Sequence, residues 1–394
     1  MRSPRWTAAL VAPLAALAVL TPTAPPAAAA APAAVTTAGT GSPGEVVSSA
    51  PLATPTVPGA RATKVLYRST DTNDKPITVS GTVLEPLVPA VGPRKLIGYA
   101  AGTQGLADRC APSNQLAAGT EYEAPFLTQL IVAGYAVALT DYQGLGTPGE
   151  HTYVNRKAQG HAVLDAVRAA RNLKVAPKDG PVALAGYSQG GGASASAAEL
   201  APTYAPEVGL VGAYAGAVPA DLAAVAAFLD GQPAAGLLAY AVNGFRAAYP
   251  DLPIDTILNE RGRQVLAETR DQCTQDTVPR YPGLRTATLT RDGRPLTAYL
   301  GEEPFRSRER AQLLGNGRAP KAPTLIVHSV ADDIVPFPQD QALAQRWCAK
   351  GATVQFMPTP VPTHVGAAIP GFAAAVPFLA DRFAGRPATS TCGA

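Results

Sequence analysis

The chain has 394 residues, 47% of them hydrophobic, and a formal net charge of +3. That length fits one large domain with an insertion, or two domains, and the apolar content supports a sizeable core. A charge so near neutral leaves no electrostatic footprint for nucleic acid. The sequence also holds no metal cluster, phosphate loop or dinucleotide fingerprint, so no cofactor is expected.

Residues 1–34 have the three parts of a secretory signal peptide. Arg2 and Arg5 make a positive start, Ala8 to Leu20 an apolar core, and Ala27 to Ala34 a run of small residues suited to cleavage. The apolar core falls short of the ~20 residues that span a bilayer and is broken by Pro13. Cleavage and a secreted product are therefore expected, with no stable membrane anchor there or elsewhere. In an oxidising compartment Cys110, Cys273, Cys348 and Cys392 are expected to form two disulfides, for which sequence alone allows three pairings. Residues 35–62, rich in Pro, Gly, Ser and Thr, read as an extended lead-in.

Strand-like runs follow at Lys64 to Ser69 and Ile77 to Leu84, with a turn between them at Asp71-Thr72-Asn73-Asp74. Further strands are predicted at Lys95 to Ala100, Tyr135 to Thr140, Pro181 to Ala185, Gly209 to Ala215, Thr324 to Ser329 and Thr353 to Met357. Helical spacing occupies Glu123 to Ala133, Ala158 to Asn172 (with Arg168 and Arg171 outside), Gly191 to Leu200 and Gln339 to Lys350. Strands alternating with helices require a mostly parallel sheet covered on both faces. Residues 218–320 interrupt this alternation with helices at Asp221 to Leu229, Gly236 to Ala248 and Ile254 to Thr269, and with a polar hairpin at Thr286 to Leu300. They read as an inserted, mainly helical cap, because a core of residues 63–217 cannot close without the strands of residues 321–394.

Gly186-Tyr187-Ser188-Gln189-Gly190, between the fifth of eight strands and a small-residue helix, matches G-x-S-x-G. By chance the pattern occurs in about one of eight chains this long, so its context has to carry it. A sharp strand-to-helix turn needs glycine on both sides of the serine and lifts its hydroxyl out of the sheet edge. A serine becomes nucleophilic only when a neutral imidazole takes its proton and an acid fixes that imidazole's tautomer. In the α/β-hydrolase fold, which this strand order suits, the acid and then the histidine follow the serine in the chain. Of the four histidines, His151 and His161 precede Ser188, and His328 ends a core strand ahead of its own loop aspartates. His364 lies in the loop after the last strand and is the expected base. The preceding strand's loop offers Asp332 and Asp333. The oxyanion hole of this fold uses the amide after the serine, here Gln189, and one from the loop after the third strand, where Thr103 is chosen.

The blocks GTQGLADRCAPS (102–113), TDYQGLG (140–146), GYSQGG, HSVADDIVP and CAKGATVQFMPTPVPTHVGAAI (348–369) resemble the secretory lipase family over nearly the whole mature chain. The resemblance implies a triad of Ser188, Asp332 and His364, a helical cap over an acyl-binding tunnel, and disulfides Cys110–Cys273 and Cys348–Cys392. One departure stands in the oxyanion loop, where yeast-type members carry an acidic residue and this chain has Gly102-Thr103. The expectation is a secreted serine carboxylester hydrolase, a lipase acting on triacylglycerols and other fatty-acyl esters, with a lipid or other ester as its partner. The alternatives are a short-chain esterase, a polyester depolymerase, a peptidase or a non-catalytic binding protein. A peptidase needs an acidic cluster for a substrate amine, and none stands out.

Overall fold

The computed structural model describes residues 41–393. The expected signal peptide at 1–34 lies outside the described residues. One sheet of nine strands organises the rest: β1 (Val46–Leu52), β2 (Ala60–Thr70), β3 (Pro76–Pro86), β4 (Leu96–Ala100), β5 (Ala136–Thr140), β6 (Val182–Tyr187), β7 (Leu210–Gly216), β8 (Thr324–Ser329) and β9 (Val354–Thr359). Their order is β1-β2-β3-β5-β4-β6-β7-β8-β9. The pairs β1–β2, β2–β3 and β3–β5 are antiparallel, and every pair from β5 through β9 is parallel. The strand order reverses at β4, which pairs with β5 on one edge and β6 on the other. Ligands bind beyond the strand ends at such a reversal.

Strands β4, β5 and β6 are buried at every position, so apolar runs replace alternation. Around the sheet run helices α1 (Pro112–Ala118), α2 (Ala124–Val132), α3 (Arg156–Asn172) and α4 (Gln189–Tyr204). Between β7 and β8 come α5 (Leu222–Leu229), α6 (Leu237–Ala248), α7 (Ile254–Ile257), α8 (Glu260–Arg270), α9 (Thr274–Arg280), α10 (Leu296–Leu300) and α11 (Phe305–Arg310). Helices α12 (Phe337–Cys348) and α13 (His364–Phe383) complete the chain. Successive strand residues serve opposite faces. Tyr214 meets Phe372 of α13, with ring centroids 5.2 Å apart, whereas Ala215 joins Leu343 and Trp347 of α12. By length and apolarity α13 could span a membrane. It is instead packed on the sheet, with the Phe372 ring 6.1 Å from that of Tyr99 on β4.

Several expectations are corrected. The sheet has nine strands, so Ser188 follows the sixth rather than the fifth. The additional strand, β1, lies in the stretch read as a lead-in. It is an exposed edge strand containing Pro51, a residue that an edge tolerates but a hydrophobic period does not reveal. Thr286–Leu300 is not a hairpin but a 3₁₀ turn (Thr286–Leu289) followed by α10. The single helix expected over 254–269 breaks after α7, where Asn259 accepts the Gly262 amide and starts α8. Arg171 turns inward rather than out, donating to the Val208 carbonyl at 2.9 Å.

Two disulfides form, Cys110–Cys273 and Cys348–Cys392, the pairing that the family resemblance implied. The first ties the helical segment between β7 and β8 to the loop after β4. The second fastens the tail beside the end of α12.

Candidate active site

Ser188 sits between the last residue of β6 and the first of α4 with φ 60° and ψ −123°. A non-glycine residue there is strained, and surrounding structure must hold it in place. The two flanking glycines are required by close approach. A Cβ on Gly186 would lie 2.2 Å from the Gly190 carbonyl oxygen, and one on Gly190 would lie 2.0 Å from the Ala100 oxygen. The backbone of Ser188 is fixed at both ends. Its amide donates to the Gly216 oxygen at 2.9 Å, and its carbonyl accepts from the Gly192 amide at 2.9 Å. Because α4 begins at Gln189, its first, unpaired N–H groups gather beside the serine.

The loop after β8 brings up Asp332, whereas His364, expected in the loop after β9, is the first residue of α13, behind the N-cap Thr363. His364 Nδ1 lies 2.8 Å from Asp332 Oδ2, and both residues are buried. Asp332 Oδ1 accepts the amides of Ile334 at 2.9 Å and Val335 at 2.7 Å. The carboxylate is therefore oriented from below and stays ionised. Burial alone would raise its titration, but hydrogen bonds from His328 and His364 override this and hold it well below the usual carboxylate range. Asp333 has a different task, accepting the His364 backbone amide at 2.8 Å. Tyr187, next to the serine, donates its hydroxyl to the His364 carbonyl at 2.7 Å. With Nδ1–H directed at Asp332, His364 Nε2 carries the lone pair that a general base needs. Among the described residues the hydrogen-bond chain runs from Asp332 to His364 and stops short of Ser188 Oγ. Such links commonly close only when substrate is bound.

The turn after β4 is where the second oxyanion donor, Thr103, is expected. Gly102 N donates to the buried Glu123 carboxylate at 2.9 Å. The Thr103 carbonyl accepts from Tyr122 OH at 3.1 Å and from Thr274 Oγ1 at 3.0 Å, and Thr103 Oγ1 shares a 2.7 Å hydrogen bond with Tyr153 OH. Among the described residues the Thr103 amide has no hydrogen-bond acceptor, and neither have the Gln104 and Gly105 amides that follow it in the turn. The Gln189 side chain is drawn aside, its amide donating to His151 Nε2 at 3.2 Å. His151 can accept because burial pushes it down to about 4, and its Nδ1–H donates to the Gln143 carbonyl at 2.8 Å.

The geometry adds two residues that no motif marks, Glu123 behind Gly102 and His151 behind Gln189, because each acts across a chain return. It also gives Asp333 and Tyr187, which the motifs contain, a role in holding the His364 backbone. His328 does point at the site, with Nε2 3.2 Å from Asp332 Oδ2. His161 is remote from the site, stacked on Tyr204 at 3.7 Å.

Leu229, Leu237 and Leu238 of the helical segment are buried in one cluster with Leu106 and Tyr153 of the core. Leu238 also lines an apolar cavity of about 80 Å³ with Leu222, Val242, Phe245 and Leu300. The helical segment thus packs directly onto Tyr153, the residue that holds Thr103.

The profile of the secretory lipase family matches residues 110–391. Lipase A of Moesziomyces aphidis is 31% identical over 90% of this chain and 79% of its own length. A probable inactive lipase of Mycobacterium tuberculosis is 32% identical over 83% of this chain and 75% of that protein. The X-ray structure of Candida antarctica lipase A in its closed state superposes with a TM-score of 0.81 at 29% identity, covering 89% of this chain and 85% of that one. The chain belongs to the secretory lipase family, carboxylic ester hydrolases on the α/β-hydrolase fold.

Proposed function

We propose that this protein is a secreted serine lipase that cleaves fatty-acyl esters, triacylglycerols among them, through an acyl-enzyme. Ser188 Oγ attacks the ester carbonyl as His364 Nε2 takes its proton. Asp332 holds the imidazole tautomer and stabilises the imidazolium, and the Thr103 and Gln189 amides receive the oxyanion. His364 returns the proton to the departing alcohol, and water then repeats the sequence to release the acid. The observation that carries this reading is the Asp332–His364 hydrogen bond of 2.8 Å between groups that meet beside a strained, glycine-flanked serine. The same observation argues against a binding protein that has lost catalysis, a reading raised by the inactive relative.

Residues 218–320 act in this proposal as a cap whose apolar cavity receives the acyl chain. At about 80 Å³ the cavity is smaller than the ~150 Å³ that encloses one benzene. Long chains therefore need the cap to shift, whereas short esters do not. Val365 and Ile369, one helical turn apart just after His364, are 74% and 69% exposed and suit contact with a lipid aggregate. Secretion follows from cleavage within the Ala-rich end of residues 1–34.

The test is hydrolysis of p-nitrophenyl esters from C2 to C18 and of an emulsified triglyceride. Turnover of long chains and emulsion is the expected result. Activity confined to C2–C4 would reassign the protein as a short-chain esterase.

A further inference from the structure

His328 belongs to no motif of ester hydrolysis, yet it is the fully buried penultimate residue of β8. Its Nε2 lies 3.0 Å from the Val335 carbonyl oxygen and 3.2 Å from Asp332 Oδ2. Its Nδ1 lies 2.8 Å from Oδ2 of Asp340, on α12. A backbone carbonyl can only accept, so Nε2 carries a proton. Asp340 Oδ2 already accepts the Val218 amide at 2.8 Å, and Asp332 Oδ2 already accepts from His364 Nδ1. Neither ring nitrogen faces a donor. With Asp340 ionised, a neutral imidazole would set one lone pair against an acceptor in a fully buried site.

We infer that His328 is a positioning residue, held as an imidazolium between Asp332 and Asp340, whose charge sets the pH range in which His364 can serve as base. The inference rests on the triad reading above. The titratable groups around the cluster are Asp340 on α12, Asp332 and Asp333 in the loop after β8, His364 on α13 and Tyr187 at the end of β6. Burial by itself would discharge His328. The charge of Asp340 and hydrogen bonds to Asp332 and Asp340 outweigh burial and raise it to about 10.

The charge count gives the role. With His328 cationic and both aspartates ionised, the cluster carries one net negative charge. It becomes neutral when His364 takes the serine proton. Without the cation two negative charges remain, and the base retains its proton to higher pH.

His328→Gln should move the acid limb of kcat/KM up by about one pH unit, the shift expected from a single charge at this range. The double variant His328→Gln/Asp340→Asn restores the net charge and should return the limb to its wild-type position. An unshifted limb in the single variant, or no recovery in the double, overturns the proposal, since a packing role alone lowers the plateau or the melting temperature. A second measurement needs no variant. Long-range ¹H–¹⁵N spectra of the unaltered protein, which has four histidines, should show one ring with both nitrogens protonated from pH 6 to 9. If His328 is neutral at pH 8 the proposal fails, whether or not the variants fold. If instead the triad reading is wrong, the acid limb does not follow His364, while the ring spectrum still reports the charge on His328.

Discussion

Replacing Asp332 with asparagine removes one charge and keeps the shape, so its effect follows from the donors that converge on the carboxylate. Oδ1 holds the Ile334 and Val335 amides, and the amide oxygen of asparagine can keep both. Oδ2 faces His364 Nδ1 at 2.8 Å and His328 Nε2 at 3.2 Å, and there asparagine presents two N–H groups to two N–H groups. The His364 ring relieves the clash by moving its proton to Nε2, the nitrogen that must stay bare to accept from Ser188. The equivalent exchange in a serine protease lowers kcat by about 10⁴, or about 5.4 kcal/mol in the barrier. Breaking a buried ion pair on one side also costs about 3–5 kcal/mol of stability. Asp333→Asn is the control. It keeps an oxygen for the His364 amide, as asparagine does at helix caps, and should change turnover about twofold at most. The assay is kcat on a short p-nitrophenyl ester, with circular dichroism to establish that each variant is folded. A folded Asp332→Asn within tenfold of wild type, or a larger loss in Asp333→Asn, would refute the reasoning.

Stability should vary with pH in two windows, read as melting temperature. His328 is raised from an ordinary value near ~6.5 to about 10, so its stabilisation is complete below ~6.5 and declines as pH rises toward 10. Asp332 is depressed, so its stabilisation is present above ~3.9 and is lost as pH falls below that value. The purified protein should show no reactive thiol without reductant. Reduction should remove up to about 5 kcal/mol for the Cys110–Cys273 loop and about 4 kcal/mol for Cys348–Cys392 in the chain-entropy model. Leu238→Trp, which fills the cap cavity, should shift preference toward shorter acyl chains while leaving C2 and C4 turnover within severalfold. Unchanged preference across C2 to C18 would count against acyl binding there.

The central parallel strands were legible because each is a short, doubly buried run bounded by turn residues, as in LIGYA, AVALT and VALAGY. β1 was hidden for the opposite reason. Exposed on both faces, it has no apolar pattern to read. The 3₁₀ turn at 286–289 and α10 resembled a hairpin, since polar residues alternate there without forming partners in a sheet. Ser188 and His364 were legible from glycine spacing and chain order. Asp332 and Asp333 are chemically identical neighbours, and only the family resemblance separated them in the sequence. The division of labour between them becomes visible once the loop's hydrogen bonds are placed. Asp340 could not be paired with His328 from sequence, because their contact is made by α12 folding back across the end of β8. The link between His151 and Gln189 likewise spans 38 residues with no local signal.

The central claim is that Ser188 forms the covalent intermediate, and labelling with a fluorophosphonate tests it most directly. The protein should gain one phosphonyl group per chain by intact mass, peptide mapping should place it on Ser188, and ester hydrolysis should fall in proportion to labelling. Ser188→Ala should take no label and lose turnover by several orders of magnitude, because the members of a triad act as a unit. Full hydrolytic activity in the unlabelled Ser188→Ala protein, or a stoichiometric label on any other residue, would contradict the mechanism.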